Sequence, residues 1–162
     1  MSTNGAIIQY TFTNNSFSNV LANRPSINSP YPGLSSLFCY DAGDNGYVLS
    51  IKPSSSNNQI KVQFKVKYLT SDVASINLKI GIVYTTNSGV SYNVVGQDTF
   101  SGSINAGYNV YMFSYMHSPN TSNNIVYKMF FQIENGGVEV PIGLIGDLSS
   151  SNCVILEEFM IN

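Results

Sequence analysis

The side chains able to do chemistry are few and scattered along the chain. The single histidine, His117, is followed by Ser118 and Pro119. With an aspartate they would supply the imidazole and hydroxyl of a hydrolytic triad. Adjacent residues on a strand point to opposite faces, however, and neither glycine-flanked serine stands in a nucleophile-elbow context. His117 therefore reads as a loop residue at the turn before Pro119. The run Asp41-Ala42-Gly43-Asp44-Asn45-Gly46 gathers carboxylate and amide oxygens of the kind calcium prefers. Its spacing misses the EF-hand register and no glutamate closes the loop, so it reads as an Asx-turn. Glu157 and Glu158 are neighbours on the last predicted strand, so their side chains diverge and cannot flank one glycosidic bond. One of them must face inward or into an interface, hydrogen-bonded there. Two cysteines, Cys39 and Cys153, and one histidine are too few for a structural zinc site. The thiols are expected to be reduced and buried, a disulfide from a loop to the last strand being the alternative. No cofactor or metal is called for, and the chain is expected not to be an enzyme.

The elements that must carry these residues are strands. From Gln59 to Tyr68 the sequence alternates, with Ile60, Val62, Phe64, Val66 and Tyr68 on one side and Gln59, Lys61, Gln63, Lys65 and Lys67 on the other. A period of two marks a strand with one face buried and one wet. Ile76–Tyr84 and Ile125–Ile133 repeat the pattern, with Asn77, Lys79, Lys128 and Gln132 outward. Further strands are predicted at Ala6–Thr13, Tyr47–Lys52, Ser91–Val95, Tyr108–Met116, Val138–Ile142 and Asn152–Ile161. Asp44-Asn45-Gly46, the Pro53–Asn58 stretch, Asn87-Ser88-Gly89 and Asn135-Gly136-Gly137 supply turns, since Asn and Gly tolerate positive φ. Apolar residues nowhere recur at helical spacing. The fold class is all-β, an antiparallel two-sheet β-sandwich or barrel. Residues 1–162 form one domain whose part from about 14 to 46 is irregular, broken by Pro25, Pro30, Pro32 and Gly33. One short buried strand is predicted there, at Leu37-Phe38-Cys39-Tyr40.

Two surface features remain. Lys61, Lys65 and Lys67 form a row on one strand, either a solvated face that discourages unwanted edge pairing or a subunit- or glycan-facing surface. Tyr68, Tyr84 and Tyr127 occupy core-facing positions, whereas Tyr108, Tyr111, Phe113 and Tyr115 share a strand apolar on both sides. Such a strand in a sandwich this small points to a neighbouring subunit. The candidate interface is thus Tyr108, Tyr111, Phe113, Tyr115, Lys61, Lys65 and Lys67.

Composition narrows the classes of function. Only 10% of residues are charged, against about 25% in ordinary soluble domains; uncharged Asn and Ser make up the difference. Such a surface has little charge repulsion and suits permanent packing in an assembly. Seven basic residues against nine acidic ones leave no basic stripe, which argues against nucleic acid. No signal peptide is visible at Met1–Gly5, and no apolar run is long enough to span a bilayer. Without a signal peptide, the Asn14 and Asn120 sequons read as chance in an Asn-rich chain.

A series of short motifs adds to this reading. Leu49-Ser50-Ile51-Lys52-Pro53 precedes a Ser/Asn turn and the strand Gln59-Ile60-Lys61-Val62-Gln63-Phe64. Later come His117-Ser118-Pro119-Asn120-Thr121, Val126-Tyr127-Lys128 and the closing Ser151-Asn152-Cys153-Val154-Ile155-Leu156-Glu157-Glu158-Phe159. The series, spanning residues 47–161, resembles the small jelly-roll domains in virion proteins of large algal DNA viruses, chlorella viruses among them, and in tail-fibre heads of cyanobacterial phages. Those domains carry a Pro-Ser-Ser turn before an alternating strand and an Asp-Ser-Pro-x-Thr turn before a Tyr-containing strand. They close on an acidic residue followed by an aliphatic one. Here His117 replaces the Asp and Phe159 the usual isoleucine. The resemblance implies a jelly-roll sandwich and turn and packing roles for these residues, none of them catalytic. It implies a minor capsid, vertex or fibre-head component, made in the host cytoplasm and carried in the virion. Its expected partners are its own copies, as a trimer or pentamer, and neighbouring capsid proteins. The alternative is a lectin-like module that binds a host glycan or receptor through its loops.

Overall fold

The computed structural model describes residues 7–14, 20–22, 39–41, 48–70, 73–104, 107–133, 142–144 and 153–161. Among them there are strands and turns and no helix, so no helix is long and apolar enough to cross a membrane. The strands are β1 (Ile7–Asn14), β2 (Val20–Ala22), β3 (Cys39–Asp41), β4 (Val48–Ile51), β5 (Gln59–Thr70), β6 (Val73–Thr85), β7 (Asn93–Ile104), β8 (Gly107–His117), β9 (Ile125–Ile133), β10 (Ile142–Leu144) and β11 (Cys153–Phe159).

Their pairing is nested. β1 pairs with β11, β4 with β9, β5 with β8 and β6 with β7, each antiparallel and each enclosed by the one before. The nested hairpin then wraps, so that β11 lies beside β5 and β9 beside β6. Two sheets result: a six-stranded one containing β1, β11, β5, β8, β10 and β2, and a five-stranded one containing β3, β4, β9, β6 and β7. This is the jelly roll. β8 pairs residues 60–70 of β5, while β11 and β10 share its opposite edge.

Alternation decides which side chains lie between the sheets. Ile60, Val62 and Phe64 of β5 are buried, whereas Gln59, Lys61, Gln63 and Lys65 are partly exposed. Ile51, Ile80, Ile82, Phe113, Ile125, Tyr127 and Leu156 complete the described core, with Phe64 and Phe113 stacked at 5.7 Å between centroids. The hairpin from β6 to β7 turns as its sequence requires. Ser88 and Gly89 have φ of 58° and 86°, and the Val90 amide donates to the Asn87 carbonyl at 3.3 Å.

Some expectations needed correction. β7 runs to Ile104 rather than stopping near Val95. Its Gly96-Gln97-Asp98-Thr99 stretch has no apolar rhythm, because β7 pairs with β6 alone among the described strands. The register there shifts between Ile82 and Val83, a bulge that breaks the period. The region expected to be irregular contains β2, and β3 occupies part of the predicted short strand. The turns at Asp44-Asn45-Gly46 and Asn135-Gly136-Gly137, the prolines 25, 30 and 32, and most of the strand expected at 138–142 lie outside the described residues. So does Asn15-Ser16 of the first sequon.

Candidate functional site

Three arrangements bring polar or exposed side chains together. The first ties the chain's last strand to the turn after β4. Glu158 lies opposite Ile60 on the core side of β11 and is fully buried. Its Oε1 accepts hydrogen bonds from the Ser54 amide (2.7 Å), the Ser54 hydroxyl (2.9 Å) and Asn58 Nδ2 (2.7 Å). Asn58 is itself buried, and its Oδ1 accepts from the Ile161 amide at 3.3 Å. A buried carboxylate needs such charge-assisted donors to offset its lost hydration. Glu157 turns the other way and pairs with Lys61 at 2.9 Å. The two adjacent acids thus divide, one inward and one outward. The Pro-Ser-Ser turn and the closing acid, far apart in sequence, form one structural latch.

The second arrangement joins the sheets. His117 is not a loop residue. It ends β8 opposite Ile60, and its Nδ1 lies 2.8 Å from the Tyr127 hydroxyl. Its ring centroid is 4.3 Å from that of Tyr84. Burial pulls the imidazole down to about 4, and burial with the neighbouring Tyr84 pushes Tyr127 above the usual phenol range. His117 is therefore neutral at ordinary pH, packed against Tyr127 and Tyr84. Ser118 accepts from Gln59 Nε2 at 3.1 Å. The described residues hold no group of three His, Cys, Asp or Glu side chains placed to bind a metal ion. Cys39 and Cys153 lie on β3 and β11; their side chains, and those of the Asp41–Gly46 loop, are outside the described residues.

The third arrangement is the outer face of the six-stranded sheet, and it sorts the predicted interface residues. Lys61 and Lys65 lie on this face, opposite Met116 and Met112 of β8. Met112 and Met116 are 61% and 52% exposed, with exposed Ser114 between them. Gln63, opposite Ser114, donates from Nε2 to Met112 Sδ at 3.4 Å. Phe113 and Tyr115 point the other way. Phe113 is 5% exposed in the core, and Tyr115 donates from its hydroxyl to Asp98 of β7 at 3.0 Å. Burial, then that bond and the carboxylate charge, push the Tyr115 phenol up to about 12. Its ring packs on Gly96, where a Cβ would collide with it. Tyr108 and Tyr111 stand opposite Leu69 and Val66, and Lys67 opposite Val110; their side chains are outside the described residues.

Sequence reasoning placed a strand here but did not single out Met112 and Met116. The signal was present: in Met112-Phe113-Ser114-Tyr115-Met116 the methionines share a parity with each other and with the lysine row. Phe113 and Tyr115, which drew attention instead, have the opposite parity. On the outside of the five-stranded sheet, by contrast, Val83 and Phe130 are buried, with Tyr92 packed against them. Lys128 Nζ lies 5.8 Å from the Tyr92 ring centroid.

No family model matches the sequence, and no curated protein matches it. Solved structures show distant likenesses. A chain from the structure of infectious bursal disease virus, Gx strain, is 11% identical with a TM-score of 0.41, and the match covers 95% of this chain and 38% of that one. Tailspike protein 4 of bacteriophage CBA120, described as an enzymatically active domain, is 12% identical with a TM-score of 0.34, covering 93% of this chain and 19% of that chain. A structure described as "CBM4 structure and function" is 11% identical with a TM-score of 0.31, covering 76% and 83%. The chain thus spans well under half the length of the two viral chains. Likenesses this distant transfer no function, and the jelly roll rests on the nested strand pairing itself.

Proposed function

We propose that this chain is a non-catalytic structural module of a virus particle, a minor capsid, vertex or fibre-head component that works as a symmetric homo-oligomer among neighbouring shell proteins. The observation that carries the reading is the outer face of the six-stranded sheet. Two large apolar side chains, Met112 and Met116, stand exposed there beside Lys61 and Lys65. Lys61 is already matched by Glu157, so that lysine brings no unmatched charge to the face. A partner surface could cover the two methionines and the Lys61–Glu157 pair at modest electrostatic cost. The low charge of the whole chain and the sequence resemblance to small jelly-roll virion proteins support the same role. The engagement of His117 with Tyr127 and Tyr84 supports the absence of catalysis. Quantitative mass spectrometry of purified particles tests the proposal. Copies in a fixed ratio to the major shell protein are expected, and absence from purified particles overturns it.

A glycan- or receptor-binding role has one observation in its favour, the hairpin tip at 86–91. There Asn87 Oδ1 accepts from the Ser91 amide and Thr85 Oγ1 from the Gly89 amide, both at 3.1 Å, beneath an exposed Val90. Glycan-array binding that disappears when this tip is changed would favour that role.

A further inference from the structure

The strands at the sheet edges differ in how well they resist pairing with another chain. β7 carries Asp98 and a register shift beside Val83, and β1 is shifted between Ile7 and Gln9. Charges and bulges are the usual protection of an edge. β8 has neither. Its eleven residues contain no Asp, Glu, Lys, Arg or Pro. Its register with β5 runs unbroken from Ile60 opposite His117 to Thr70 opposite Gly107. Among the described strands β8 pairs with β5 only.

We propose that β8 is a self-pairing edge, to which a second copy of this chain adds its own β8 antiparallel across a two-fold axis at Ser114. The occupant is argued from the pattern of exposed side chains. Met112 and Met116 lie symmetrically about the small, exposed Ser114. A dyad there sets Ser114 opposite its copy, Met112 opposite the partner's Met116, and Met116 opposite the partner's Met112. Four methionines then form one apolar patch across the seam, and the added strand meets no charge on β8. Methionine suits this because its unbranched thioether adapts to an uneven neighbour. Each sheet continues into its partner's, with β5 and its lysines one strand back on either side. The contact is isologous. It leaves a trimer or pentamer to be closed elsewhere and joins such rings across two-fold positions. The inference rests on the homo-oligomeric reading above and specifies one of its contacts.

Disulfide trapping on the full chain, with mass measured by light scattering, tests it. Ser114→Cys should form a chain-to-chain disulfide under mild oxidation, because directly opposed residues on paired strands bring their Cα atoms within about 4.5–5.5 Å. Met112→Cys alone should not. Its copy would be displaced four residues along the strand, about 13 Å at ~3.3 Å per residue. The unchanged chain run in parallel reports any linkage through Cys39 and Cys153. Met112→Lys with Met116→Lys keeps these positions solvent-compatible and places like charges opposite one another. It should weaken the contact at least about ten-fold, seen as a loss of the mass that depends on it. An oligomer whose mass survives the double lysine change, with Ser114→Cys unlinked, overturns the β8 contact and leaves homo-oligomer formation standing. A strict monomer at high concentration overturns both.

Discussion

The two faces of β8 make opposite use of the same strand. On the inner face Phe113 stacks on Phe64, Tyr115 bonds Asp98 of the other sheet, and His117 meets Tyr127. Each of these side chains is engaged within its own chain. On the outer face Met112, Ser114 and Met116 stand exposed. The difference teaches that aromatic content alone does not show which face of a strand stays exposed. In β8 the aromatic row goes to closing the sandwich, and the flexible apolar row is left exposed.

Substitutions can break this contrast, and the inner face should give the largest effects. Phe113→Ala removes a stacked core ring and should cost about 3–4 kcal/mol in chemical denaturation. Association per folded molecule should be unchanged. A loss of association equal to that of the outer-face lysine variant would merge the two faces. His117 sharpens the contrast through pH. Its folded-state value of about 4 lies below the ordinary 6.5. Unfolding therefore takes up a proton as pH falls, and stability present above pH 6.5 is lost progressively toward pH 4. The side chain is only partly buried, so the loss is discounted to about 2 kcal/mol. His117→Gln should flatten the pH 6.5–4.5 limb of the stability curve; an unchanged slope would place the titration elsewhere. Smaller still is Tyr115→Phe, which removes a partly exposed hydrogen bond worth about 1 kcal/mol. Met112→Ser on the opposite face should stay within about 0.5 kcal/mol in thermal or chemical unfolding of the separated chain.

The long strands were legible because alternation is a local signal. Ile60, Val62 and Phe64 against Lys61, Gln63 and Lys65 announce their faces without any partner in view. β7 was read short because its bulge and polar residues erase that rhythm. The division of Glu157 from Glu158 followed from adjacency alone. That Glu158 would meet Ser54 and Asn58, 104 and 100 residues away, did not. Such contacts depend on which strands the wrapping makes neighbours. His117 was misplaced because Ser118 and Pro119 advertise a turn, and the strand ends one residue before it. Met112 and Met116 were obscured because a strand apolar on both faces does not reveal which face its partner sheet covers.

Amide hydrogen exchange across β8, followed from dilute to concentrated protein, tests the central claim most directly. Self-pairing at this edge requires exchange over Met112–Met116 to slow as concentration rises, while Gly96–Phe100 of the bulged β7 exchanges at a constant rate. Exchange over Met112–Met116 that is the same at every concentration, in a protein shown to be associated, would contradict it.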